Sequence, residues 1–115
     1  MTQKREFMLL FRYEPQNNYQ PTENEIAQMK KQWGTFIGKI AIQEKLISTH
    51  QLGFEGKQIS PVNAVSEGIY TSERQTLGGN MIVKASSIDE AVEIAKGCPI
   101  LSMGGRVEVR NILPM

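Results

Sequence analysis

The chain has one cysteine, one histidine and one tryptophan in 115 residues. A lone cysteine excludes a disulfide within the chain and suits a reducing cytoplasm. Cysteine and histidine together are too few for a structural zinc site. Surplus charge is also missing. Thirteen basic and 12 acidic residues leave a formal net charge of +1, so no global field draws the chain toward nucleic acid or an anionic membrane. No apolar run approaches the roughly 20 residues that span a bilayer, and Met1 to Glu6 lacks the apolar core of a secretion signal. Neither Gly78-Gly79 nor Gly104-Gly105 is followed by Lys-Ser/Thr or by an immediate helix, so neither is a phosphate loop. Both pairs read as turn or bulge positions at strand entry. The aromatic Lys/Arg-Gly-Phe signature of an RNA-binding sheet is absent as well. The expectation is a cytoplasmic protein with no metal, cofactor, nucleic acid or membrane among its partners.

What is present describes an ordinary globular protein: 40% hydrophobic and 22% charged residues. The length predicts one domain over 1–115, long enough to bury a core. Phe7-Met8-Leu9-Leu10-Phe11 is a continuous apolar run and predicts a central strand covered on both faces. Glu14 to Pro21 reads as a polar loop. Thr22-Glu23-Asn24-Glu25 fits a capping box opening a long helix. Ile26, Met29, Trp33, Phe36, Ile37 and Ile40 form its apolar stripe, and the helix is expected to end near Lys45. Gly34 and Gly38 interrupt it, for close packing on the sheet or to leave room for a ligand.

Leu46 to Leu52 reads as the next strand. Ile59 and Val65 predict a small hairpin, with Pro61-Val62-Asn63 near its turn, as an excursion at the sheet edge. Leu77 to Val83 reads as a strand. Ser87-Ile88-Asp89-Glu90 repeats the capping-box pattern. Ala91, Val92, Ile94, Ala95 and Cys98 supply the buried face of a second helix, ended by Gly97 and Pro99. Arg106 to Asn111 alternates as a last strand, with Val107 and Val109 turned to the core. Strand, helix, strand occurring twice predicts an α+β, ferredoxin-like βαββαβ fold, with an antiparallel sheet and both helices on one face. The other face then needs cover. Leu9-type side chains pressed against a second copy would supply it, which predicts a homodimer.

Phe7-Met8-Leu9-Leu10, Leu77-Gly78-Gly79, Ile88-Asp89-Glu90-Ala91, Cys98-Pro99 and Val107-Glu108-Val109-Arg110, taken in order, resemble the YCII-related proteins. They most resemble the branch named for a DGPF motif. The resemblance covers nearly the whole chain and implies a dimeric α+β barrel. It also implies, at family level, an association of the DGPF branch with transcription-related sigma factor partners. Where that branch has Asp-Gly-Pro-Phe, this chain has Glu67-Gly68-Ile69-Tyr70, and Asn80 stands where an aromatic often follows Leu-Gly-Gly. Other YCII-related proteins carry a histidine in the first helix and an aspartate before the proline after the second helix, a pair resembling a catalytic dyad. Those positions correspond here to Trp33 and Cys98. Indole nitrogen is a donor only, so the dyad is absent as such.

Of the single residues, His50 is the remaining proton carrier. It lies beside Thr49 and Gln51 on the second strand, as a structural or cleft-facing side chain. Cys98 at a helix C-terminus reads as buried packing, because a reactive thiolate prefers an N-terminus or a cation. Trp33 reads as core or as an aromatic wall for a flat ligand, two roles that merge if a pocket lies between helix and sheet. Arg12 shares the Met8 and Leu10 face, as a solvated strand end, an interface rim or an anion-binding group at a pocket mouth. Arg106 and Arg110 invite cross-strand ion pairing. The expected function is small-molecule binding between the first helix and the sheet, with a pocket lined by Arg12, Trp33, Phe36, His50 and Asn80. The alternatives are an enzyme using His50 or Glu67 on a small substrate, and a transcription-associated interaction module.

Overall fold

A computed structural model describes residues 4–15 and 22–114. From residue 16 on, the loop expected over Glu14 to Pro21 lies outside the described residues. The elements run β1 (Arg5–Tyr13), α1 (Glu23–Ile42), β2 (Leu46–Gln51), β3 (Lys57–Ile59), β4 (Val65–Glu67), β5 (Thr76–Ala85), α2 (Ile88–Ala95), a 3₁₀ turn (Pro99–Met103) and β6 (Arg106–Asn111). Four strands form an antiparallel sheet in the order β2-β5-β1-β6. Each helix carries the chain from an inner strand across to an outer position, which is the split βαβ arrangement twice over. Among the described residues, β3 and β4 pair only with each other.

The alternation along β1 sets the layers. Phe7, Leu9 and Phe11 are buried, as are Met81, Val83 and Ala85 on β5. They meet Phe36 and Ile40 of α1, Ala91 and Ala95 of α2, and Cys98 and Ile100 beyond it. Both helices therefore cover one face. Completely burying a side chain of this size contributes about 1.5–3 kcal/mol. One expectation is corrected here. Leu9 is fully buried beneath the helices, so it is not on the face left for a second copy. That face carries Met8, Leu10, Asn80 and Ile82, half-buried with no helix over them.

Thr22 caps α1 as expected. Its hydroxyl accepts from the Glu25 amide at 3.2 Å, and the Thr22 amide donates to Glu25 Oε1 at 3.3 Å. The helix stops at Ile42, three residues short of Lys45. There the chain turns through Glu44 at φ 58°. At α2 only half of the box forms. Ser87 accepts from the Glu90 amide, but the Glu90 carboxylate takes the Ser86 hydroxyl at 2.6 Å and the Lys45 ammonium at 3.2 Å. Those two contacts, the hydroxyl first, hold its carboxyl below the ordinary range.

Close packing does not explain Gly34 and Gly38: a Cβ at either would meet nothing within 4 Å. The second helix stops at Ala95 with Lys96 as its C-cap, one residue before Gly97, and Pro99 opens the 3₁₀ turn, with Cys98 at its N-cap rather than at a helix C-terminus. Gly104 closes that turn at φ 82°, a conformation natural to glycine.

Candidate functional site

The site grows from a place where the sheet offers no side chain. Opposite Phe11 and Arg12, β5 pairs through Gly79 and then Leu77, so Gly78 is an extra, bulged residue. The Tyr13 ring fills the space above it, where a Cβ on Gly78 would lie 2.4 Å from Tyr13 Cε1. Gly79 pairs with Phe11 and Gln51 on the helix side, and the His50 carbonyl oxygen comes within 2.6 Å of where its Cβ would be. Two bare backbone positions in succession let the Tyr13 ring and the β2 backbone lie directly against β5.

Above them lies a hollow of about 500 Å³ between α1 and the β2–β5 end of the sheet. Met29, Trp33 and Ile37 form the α1 wall, Phe11 and Tyr13 come from β1, and Ile100 and Met103 come from the 3₁₀ turn. Trp33 stands edge-on to Phe11 at 5.4 Å between ring centroids and to Phe36 at 6.0 Å. Tyr13 tilts against Phe54 at 6.4 Å. The polar lining is Lys30, Thr49 and Gln51, with the backbone of His50. The Thr49 hydroxyl already donates to the Asn80 carbonyl at 3.2 Å. Burial raises the Tyr13 phenol above its ordinary 10.0, so it remains a neutral donor at pH 7.

Of the five residues expected to line one pocket, Trp33 lines this hollow with its side chain and His50 borders it with its backbone. In register His50 pairs with Asn80, and Asn80 pairs with Leu10, so the side chains of both His50 and Asn80 belong to the face turned away from the helices. Arg12 is on that same face, with its Nη1 2.6 Å from Glu108 Oε1. This is the cross-strand pairing reserved at sequence level for Arg106 and Arg110. Arg110 reaches the other Glu108 oxygen at 3.8 Å, and Arg106 reaches Glu73 at 3.7 Å. Phe36 is a core residue bordering a second hollow, of about 610 Å³, between α1 and α2.

That second hollow is also where Cys98 lies. Trp33 and Cys98, which stand at the resembled dyad positions, therefore open onto different spaces. Burial pushes the Cys98 thiol up to about 11, so it carries a proton near neutrality and is a poor nucleophile. Glu67 lies on the hairpin with Lys57 at 3.3 Å and does not line the hollow beneath Trp33. Among the described residues, no three His, Cys, Asp or Glu side chains cluster to hold a metal ion, and no helix is long and apolar enough to cross a membrane.

Sequence reasoning missed Lys30, Tyr13 and the second role of Gly78-Gly79. The α1 signal was available: Ile26, Met29, Lys30, Trp33 and Ile37 share one side of the helix by i, i+3 and i+4 spacing. The apolar stripe took Lys30's neighbours and left out Lys30 itself. The Tyr13 contact was not available, because it depends on the bulge. No curated protein matches the chain. The model of the YCII-related domain matches residues 6–115, so the chain belongs to the YCII-related domain family.

Proposed function

We propose that the protein binds a small, flat, apolar molecule in the hollow beneath Trp33 and does not perform dyad-type acid–base chemistry. The observation that carries this reading is the lining itself: aromatic and aliphatic walls around an unfilled space, with the one tryptophan of the chain in the helix wall. Catalysis by His50 is less well supported. Its side chain shares the Asn80 face, away from the hollow, and Glu67, the other candidate acid/base, is engaged by Lys57 on the hairpin. The Leu77-Gly78-Gly79, Ile88-Asp89-Glu90-Ala91 and Cys98-Pro99 segments support reading the chain in the DGPF-type branch, with Glu67-Gly68-Ile69-Tyr70 keeping only the glycine of its motif. A single buried thiol supports a reducing, cytoplasmic setting. A second copy is the natural cover for Met8, Leu10 and Ile82.

The test uses a neutral probe. Titration with benzyl alcohol, followed by amide chemical shifts, is expected to move Phe11, Thr49, Gln51 and Gly79 saturably. It should leave Cys98 and Ser102, which border the second hollow, in place. Shifts centred on Cys98 and Ser102, or no saturable shifts at all, would refute the reading.

A further inference from the structure

We propose that the preferred occupant of this hollow is a flat, aromatic-type carboxylate, its ring against Trp33 and its carboxylate on Lys30. The inference rests on the binding reading above and adds a charge and an orientation to it.

The first observation is the sign of the lining. Among the described residues, Lys30 is its one lysine or arginine, and neither Asp nor Glu lines it. The other titratable side chain there is Tyr13, whose phenol keeps its proton. Nothing in the lining repels an anion, and nothing balances a bound cation. The hollow between the helices differs: Lys31 and Lys39 share it with Glu93.

The second observation is that Lys30 is uncommitted. Lys45, Lys57 and Lys96 each hold a glutamate, whereas Lys30 holds no ion pair among the described residues. A carboxylate arriving there competes with no internal partner. The third is spacing. Lys30 and Trp33 are three residues apart on one helix, so they stand on the same side, about 4.5 Å apart along its axis. That separation suits a ring bearing its carboxylate directly or through one or two carbons.

Emission of the single tryptophan reads the site directly. The full chain and a Lys30→Gln variant are titrated with benzoate, benzyl alcohol and benzylamine. Lys30 is exposed on the helix surface, so its replacement leaves the core intact. Benzoate is expected to bind the wild type about 5-fold more tightly than benzyl alcohol, the scale of one partly exposed charge contact. Benzylamine should bind weakest. The benzoate preference should vanish in Lys30→Gln, while benzyl alcohol binds both proteins alike. Equal binding of benzoate and benzyl alcohol, or a preference that survives in Lys30→Gln, overturns the carboxylate assignment and leaves the binding reading standing. If none of the three probes perturbs Trp33, the binding reading falls and takes the assignment with it.

Discussion

Cys98 carries two opposing influences that its neighbours resolve. It caps a 3₁₀ turn, where a backbone hydrogen bond with Ile100 favours the thiolate, but burial outweighs this and raises the pKa from 9.0 to about 11. In the unfolded chain the thiol loses its proton first. The folded state therefore holds its proton to higher pH, and this contribution to stability is complete below about pH 9 and is lost as pH rises toward about 11. Urea midpoints between pH 8 and 11 should fall more steeply for the wild type than for Cys98→Ala; parallel profiles would contradict the assignment. Iodoacetamide should label the native protein at pH 8 far more slowly than the unfolded chain. That Cys98 packs rather than reacts was legible from its place beside Pro99. Its position at an N-cap was not, since nothing in Cys98-Pro99 distinguishes a helix end from a helix end followed by a new turn. Trp33 was legible as a wall for the same reason that it was legible as core: both need the apolar stripe.

At the scale of elements, two glycines make opposite predictions. At Gly79 a methyl group would meet the backbone carbonyl of His50 at 2.6 Å, and backbone on a paired strand has little room to retreat. Gly79→Ala should loosen β2 from β5 and destabilise the protein by about 1–3 kcal/mol, the usual cost of overpacking. Gly34 lies exposed within α1, where a methyl group meets nothing within 4 Å. Gly34→Ala should stabilise by about 0.5–1 kcal/mol through helix propensity and a less free unfolded chain. Denaturant unfolding of both variants checks the pair; a Gly34→Ala loss larger than 1 kcal/mol would mean that an unseen neighbour occupies that face.

The same pair marks how far the sequence could be read. The strands, the first capping box and the hairpin turn followed from local chemistry: Asn63 sits at φ 63° and its amide meets Ser60 O, as Pro61-Val62-Asn63 foretold. The use of each glycine did not, because it depends on which backbone passes nearby. Arg12 and Asn80 failed to join the pocket for a related reason. Strand alternation assigned Arg12 correctly to the Met8 and Leu10 face. Only the register of β1 on β5 shows that Asn80 shares that face and that the helices cover the other.

Taken whole, the molecule is thin. It measures 48 × 44 × 20 Å, with a radius of gyration of 16.0 Å, against about 13 Å for a compact chain of this length. Two features account for this. One is a sheet with helices on a single side. The other is the β3–β4 hairpin, whose Ile59 and Val62 are 71% and 83% exposed. An antiparallel sheet can leave one face to water when that face is polar. Here it carries Met8, Leu10 and Ile82, with Arg12, Glu108 and Arg110 along one side. An apolar strip bordered by paired charges is the pattern of an interface with a polar rim. A twofold arrangement lets one such strip cover its own copy. Leu10 is the sensitive position, flanked in register by Asn80 and Glu108. A single subunit should tolerate Leu10→Arg, because Glu108 lies beside the new guanidinium. A second copy should not, because each new guanidinium would be buried against the apolar strip of the other. Sedimentation at micromolar concentration should give twice the 12.9 kDa chain mass for the wild type and the chain mass for Leu10→Arg, with unchanged far-ultraviolet dichroism. A monomeric wild type, or a Leu10→Arg variant that still pairs, would refute self-pairing through this face.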